Sequence, residues 1–168
     1  VIGAGHVQTM ARYNAWQNRS LYTAADGIGE EPRRLDRGAF FGSIHGTLAH
    51  LLWGDRMWMS RFAGWQKPGV GIPESAGWVP DWGELRRRRS EADAGIAAWA
   101  ERLAGADLEG DLAWWSGVLK REVRKPRWLL VTHMFNHQTH HRGQVHAMLT
   151  AAGARPGGTD LFLMDGPP

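Results

Sequence analysis

The sequence predicts an all-α protein: a four-helix bundle with a long crossover loop and a small β-hairpin ahead of the last helix. Three observations predict it. Four stretches repeat apolar residues at the helical period. A glycine- and proline-rich run over residues 64–80 separates the second stretch from the third. The fourth is bracketed by Pro126, suited to the first helical position, and by Gly153, suited to the position just past a helix end. At 168 residues, with 43% hydrophobic and 22% charged residues, the chain suits one domain over 1–168 with a real core.

Residues 5–25 read as the first helix. Val7, Met10, Ala11, Asn14 and Leu21 share one side, with Tyr13 and Trp16 beside it. Asn14 on that side needs a partner, because a buried amide left unpaired is costly. Gly27, Gly29 and Pro32 end the helix in a loop over 26–34. The second helix is expected from Arg37 to Ala63. Its apolar residues, Phe41, Ile44, Leu48, Leu51, Leu52, Trp53, Trp58, Met59 and Phe62, leave almost no polar side, so it should be well buried.

The run over 64–80 contains three prolines and four glycines and is expected to be a loop, pinned by Trp65 and Trp78. Asp81 followed three residues later by Glu84 has the form of a helix N-terminus. The third helix should run from there to Ala104, with Leu85, Ile96, Trp99 and Leu103 inside. The arginines of Arg86–Arg89, with Glu91, Asp93, Glu101 and Arg102, should lie outside. Between Leu108 and Val123 the helical period lapses. The segments on either side of Ser116-Gly117 suit a hairpin leading into Pro126. Leu161-Phe-Leu-Met164 is an apolar tail that must pack on the body or on a second subunit.

The helix between Pro126 and Gly153 carries His133, His137, His140, His141 and His146, five of the eight histidines. Residues four apart sit one above another, so His133, His137 and His141 form a stripe beside Leu130, Met134, Val145, Met148 and Leu149. Each imidazole brings a donor and an acceptor to that inward face. A bound metal would satisfy such a stripe, since neutral imidazole suits zinc, nickel, copper and iron. Two ligands hold an ion poorly, so a third must come from elsewhere. His50 on the second helix has Gly46 and Gly54 one turn to either side, spacing that clears room over its ring. His45 competes with it, and Asp55 one turn on could support it.

Composition excludes several chemistries. The absence of cysteine rules out disulfides, zinc–thiolate sites and a cysteine nucleophile. No apolar run reaches membrane-spanning length, and the first residues lack a basic segment followed by an apolar one. A cytoplasmic protein without a membrane partner is the expectation. The net charge of +3 reflects mainly Arg86–Arg89. Four consecutive helical positions point all round, so a solvated surface is expected and nucleic-acid binding is not.

The segments Ala11-Arg-Tyr-Asn-Ala-Trp16, Leu48-Ala-His-Leu51 and, most specifically, His137-x-x-His140-His141-Arg142-Gly143-Gln144 together resemble the DinB (damage-inducible) family, of the DinB/YfiT-like metalloenzymes. The likeness covers essentially the whole chain. It implies a four-helix bundle in which His50, His137 and His141 bind one divalent metal, nickel or zinc, and it implies a homodimer. His141 takes the third place rather than His140 because its line continues through Val145 and Met148. His133 then lies at the pocket wall or behind the ligands. Some relatives transfer low-molecular-weight thiols and others look like hydrolases. The expected function is therefore a metal-dependent hydrolase or thiol transferase acting on a small molecule, with a non-catalytic metal-binding stress protein as the alternative. Asp55, Asn136, Gln144 and Arg142 are candidate helpers, and no spacing assigns a base.

Overall fold

A computed structural model describes residues 1–164; the last four residues of the expected domain lie outside the described ones. The elements are α1 (Ala4–Gly27), a short α2 (Glu30–Arg34), α3 (Ile44–Phe62), α4 (Trp82–Arg102), β1 (Asp111–Ser116), β2 (Arg121–Pro126) and α5 (Arg127–Ala151). The four long helices are those the periodicity predicts, and the hairpin falls where the helical period lapses. Among the described residues no helix is long and apolar enough to cross a membrane.

α1 packs on α4 and α5, and α3 packs on α5 and α4. Two apolar clusters fill the interior. One joins Leu21, Ile44, Leu48, Leu52, Leu85, Val145 and Leu149; the other joins Val7, Met59, Ile96, Trp99, Met134 and Phe135. Caps fix two helix starts. Ser43 accepts from the Gly46 amide at 3.0 Å and Asp81 from the Glu84 amide at 2.7 Å, each cap contributing about 1 kcal/mol.

Several local features differ from expectation. α3 begins at Ile44, not Arg37, because the preceding chain turns at Gly38 and Gly42, whose φ angles of 69° and 72° a helix does not allow. The loop over 26–34 contains α2. Pro126 closes β2 opposite Asp111 and caps α5 instead of opening it. The hairpin turn spans 117–120, with Lys120 at φ 53° and its amide bonded to the Ser116 carbonyl at 2.8 Å, so β2 starts at Arg121. Gly153 adopts φ 83° just past α5, as its place in the sequence predicts.

The larger correction concerns charge. Arg89 and Asp93, expected outside, are buried at 2% and 8% exposure. Both lie on the Leu85–Ala92–Ile96 side of α4, one turn apart, and pair at 2.9 Å. Arg89 also donates to Asp55 on α3 at 2.6 Å, and Asp55 accepts from Gln138 on α5 at 2.9 Å. Asp93 accepts from Asn14 and Asn18 of α1 at 3.2 and 2.9 Å. Arg142 of α5 donates to Asn14, the partner that residue needed. The outward arginines behave as expected: Arg87 and Arg88 pair with Glu84 along the helix surface.

The tail ends in an exposed 3-10 turn over Leu161–Leu163, with Phe162 81% exposed. The chain just before it is fixed, since Gln17 donates to the Gly158 carbonyl and Tyr13 to that of Thr159.

Removing one partner of a buried ion pair strands the other charge. Asp55→Ala is expected to destabilise by about 3–5 kcal/mol, while Arg87→Ala on the exposed surface is expected to have a far smaller effect. Urea unfolding checks both. Equal, small losses would mean that Asp55 does not hold Arg89.

Candidate metal centre

α3 and α5 run side by side, and His50, His137 and His141 face one another between them. One ligand-type atom from each lies within 4.8 Å of the other two. The Nε2 atoms of His50 and His137 are 3.2 Å apart, and the His137 and His141 ring centres are 4.4 Å apart. Gly54 makes this approach possible. A Cβ added there would lie 2.8 Å from Cε1 of His137, closer than real contacts allow. The room beside Gly46 serves another purpose, because a Cβ there would strike the Phe41 carbonyl at 2.4 Å.

Two of the three rings are oriented from behind. Nδ1 of His50 lies 2.8 Å from Ser75 Oγ, and that hydroxyl donates to the Ile72 carbonyl at 2.6 Å. The hydroxyl therefore accepts from the ring, which puts the His50 proton on Nδ1 and leaves Nε2 a lone pair. Nδ1 of His141 lies 2.8 Å from Gln144 Oε1, with the same consequence for its Nε2. Nδ1 of His137 is buried without a hydrogen-bond partner among the described residues.

Burial pushes His50 and His137 down to about 3, and the neighbouring His141 adds to the effect on both. Burial lowers His141 as well, partly offset by its bond to Gln144. All three are neutral at pH 7. The Nε2 lone pair of His50 therefore faces Nε2 of His137 at 3.2 Å, a contact satisfied either by a proton on the His137 nitrogen or by a cation held between the two rings. The donor set, all neutral nitrogen with at least two lone pairs directed inward, fits a divalent transition ion.

Aromatic rings close the surroundings. Phe41 stacks on His50 with centres 3.6 Å apart and meets His141 edge-on at 5.5 Å. Trp53 stacks on the same imidazole at 5.5 Å and donates through Nε1 to the Val70 carbonyl, tying the long loop down. Phe41, expected within the second helix, lies ahead of α3 and covers the site instead. Only the tertiary fold of the loop brings Ser75 here, and no local pattern marks it.

The other candidates fall elsewhere. His45 is buried and bonds through Nε2 to the Val79 carbonyl at 2.9 Å, fastening the loop rather than joining the cluster. His133 is exposed, 6.2 Å from His137 and edge-on to Trp58, and His140 is exposed beside His141. Asp55 and Arg142 are engaged in the buried network, and Gln144 holds His141.

Fold and site together define a helical bundle with a three-histidine group that could hold a metal ion. The DinB family model matches residues 4–166, and the chain belongs to that family. Among curated proteins, Protein DinB of Bacillus subtilis (strain 168) is 26% identical over 159 residues, covering 90% of this chain and 88% of that protein. No solved structure matches the chain significantly.

The depressed imidazole values set a pH dependence. Folded histidines held below their unfolded value bind fewer protons than the unfolded chain, so the metal-free protein loses stability as pH falls from about 6.5 towards 3. Protons likewise compete weakly for the site, and metal affinity is expected to fall less than about tenfold between pH 7 and pH 5.5. This moves the loss of metal below the pH of about 6 usual for free imidazole. Calorimetric titration with zinc at the two pH values checks it. A fall of a hundredfold or more would mean that the imidazoles titrate normally.

Proposed function

We propose that the chain is a metal-dependent enzyme, a hydrolase or a thiol transferase, that acts on a small molecule at one divalent ion, nickel or zinc, held by His50, His137 and His141. The convergence of three neutral imidazoles within 4.8 Å supports this reading most directly. Three histidines leave at least one coordination position open, the pattern of catalytic sites; structural zinc sites are closed by four protein ligands. An ion in such a site supplies either a water whose pKa is lowered to about 7 or an activated thiolate.

The protein's own part is to hold and shield. Ser75 and Gln144 fix two rings in the tautomer that presents Nε2. Phe41 and Trp53 cover His50 and restrict water around it. Asn136 remains exposed on α5, whereas Asp55 and Arg142 are already committed. That commitment favours the second reading, a non-catalytic metal-binding stress protein, because it leaves Asp55 unable to serve as a general base. Either way, we place the protein in the cytoplasm as a single domain.

Protein purified without a polyhistidine tag is expected to carry close to one nickel or zinc ion per chain, and His50→Ala to carry less than about a tenth of that. Ester, amide, epoxide and thiol-reactive substrates should be screened with both forms. Turnover by the metal-loaded protein alone supports the enzyme; full metal occupancy with no turnover across the panel supports the second reading.

A homodimer is also proposed. Trp115, Val118 and Leu119 at the hairpin and Leu161, Phe162 and Leu163 at the tail are large and exposed, Val118 at 72%. Apolar patches of this kind are commonly covered by a twofold-symmetric copy. Because apolar burial is not screened by salt, sedimentation is expected to give a dimer at both about 0.15 M and about 1 M salt. A monomer in both, or a dimer lost only at high salt, contradicts the apolar interface.

A further inference from the structure

A cleft of about 400 Å³ lies where α3 and α4 meet the long loop. Arg56, Lys67, Trp78, Arg87, Arg88 and Glu91 line it. None of these residues belongs to the histidine cluster, although the same loop supplies Ser75 to that site. The volume suits a small molecule, since ligand sites run from roughly 300 to 1,000 Å³.

The charges in the cleft are unequally paired. Arg87 is bound to Glu84 and Glu91, and Arg88 to Glu84 at 2.6 Å. Arg56 and Lys67 have no carboxylate partner among the described residues. Setting Glu84 and Glu91 against the four cations leaves a surplus of two positive charges. A concave wall concentrates such a field on whatever enters it.

Two of the guanidinium groups are also held in place. Arg56 lies 5.9 Å from the ring centre of Trp65, and Arg88 lies 5.6 Å from that of Trp78. An arginine resting on an indole has lost much of its rotamer freedom before any ligand arrives, so less is lost on binding. Lys67 adds a mobile point charge, and the long loop adds the backbone of Pro68 and Gly69.

We propose that this cleft binds a phosphorylated small molecule, with the phosphate between Arg56 and Lys67 and within reach of Arg88. A phosphate monoester carries a charge of about −1.5 to −2 and three strong acceptor oxygens, which matches two surplus cations and several converging N–H donors. The inference stands apart from the metal reading, because no histidine of the cluster lines the cleft. A nucleic acid is the poorer fit. Its backbone is gripped by a stripe of roughly six to ten phosphate contacts, and here two unpaired cations share one concavity.

Calorimetric titration of the full chain with phenyl phosphate tests the proposal. Benzenesulfonate, a monoanion of similar shape, serves as the charge control. Phenyl phosphate is expected to bind at least about tenfold more tightly than benzenesulfonate and to weaken severalfold as salt is raised. Arg56→Gln with Lys67→Gln should weaken it by at least about tenfold, and Lys125→Gln, on the hairpin, should leave it unchanged. Should the double variant not fold, each single variant is expected to weaken binding about threefold. No phenyl phosphate binding at millimolar concentration would overturn the site. So would equal affinity for the sulfonate, affinity kept in the Arg56 and Lys67 variants, or a short single-stranded DNA binding more tightly than phenyl phosphate.

Discussion

The three imidazoles converge because α5 lies close against α3, and two adjacent residues of α3 govern that approach. Gly54 offers no Cβ, so the His137 ring can rest on the helix backbone. Asp55 accepts a hydrogen bond from Gln138, the residue after His137, at 2.9 Å. The contact that admits the ring and the bond that fixes the helices thus occupy the same turn of each helix. Asp55 is itself held by Arg89, Arg89 by Asp93, and Asp93 by Asn14 and Asn18. Arg142 returns from α1 to α5. The four long helices are therefore joined through one buried polar chain. Such groups are expensive to desolvate and are tolerated only when their partners are in place. A shift of α5 along α3 would break the bond to Asp55 and separate the histidines together.

Much of this was legible in the sequence. The apolar period located four helices because burying one face of each is what makes them stable. The i, i+4 spacing put His137 and His141 on one face, and the glycines beside His50 marked the place where something must come close. Of those two glycines, the one at 54 makes room for a ring of the site. The one at 46 makes room for the carbonyl of Phe41, a distinction that spacing alone does not contain. Asn14, marked as needing a partner, has two.

What stayed hidden depends on tertiary contact. Arg89 sits in a run of four arginines, and composition treats the four alike. Only its place one turn after Leu85 and one turn before Asp93 sets it inside. Ser75 lies in an irregular loop, where no period says which residue faces inward. It reaches His50 because Trp53 and His45 fasten that loop through the carbonyls of Val70 and Val79. The starts of α3 and α5 moved for local reasons, positive φ at Gly42 in one case and the pairing of Pro126 with Asp111 in the other. Glycine and proline signal a boundary without fixing which residue begins the helix.

The arrangement has the logic of a preformed site. Burial keeps the imidazoles neutral, Ser75 and Gln144 settle where two of the protons lie, and the polar chain beneath holds the helices in register. Family membership and this geometry reinforce one another, since the matched region includes the whole histidine helix. X-ray absorption on zinc-loaded protein tests the central claim most directly. Three imidazole nitrogens at about 2.0–2.1 Å are expected around the ion, with two or fewer after His50→Ala. An ion bound through one imidazole or none, or a spectrum unchanged by His50→Ala, would contradict it.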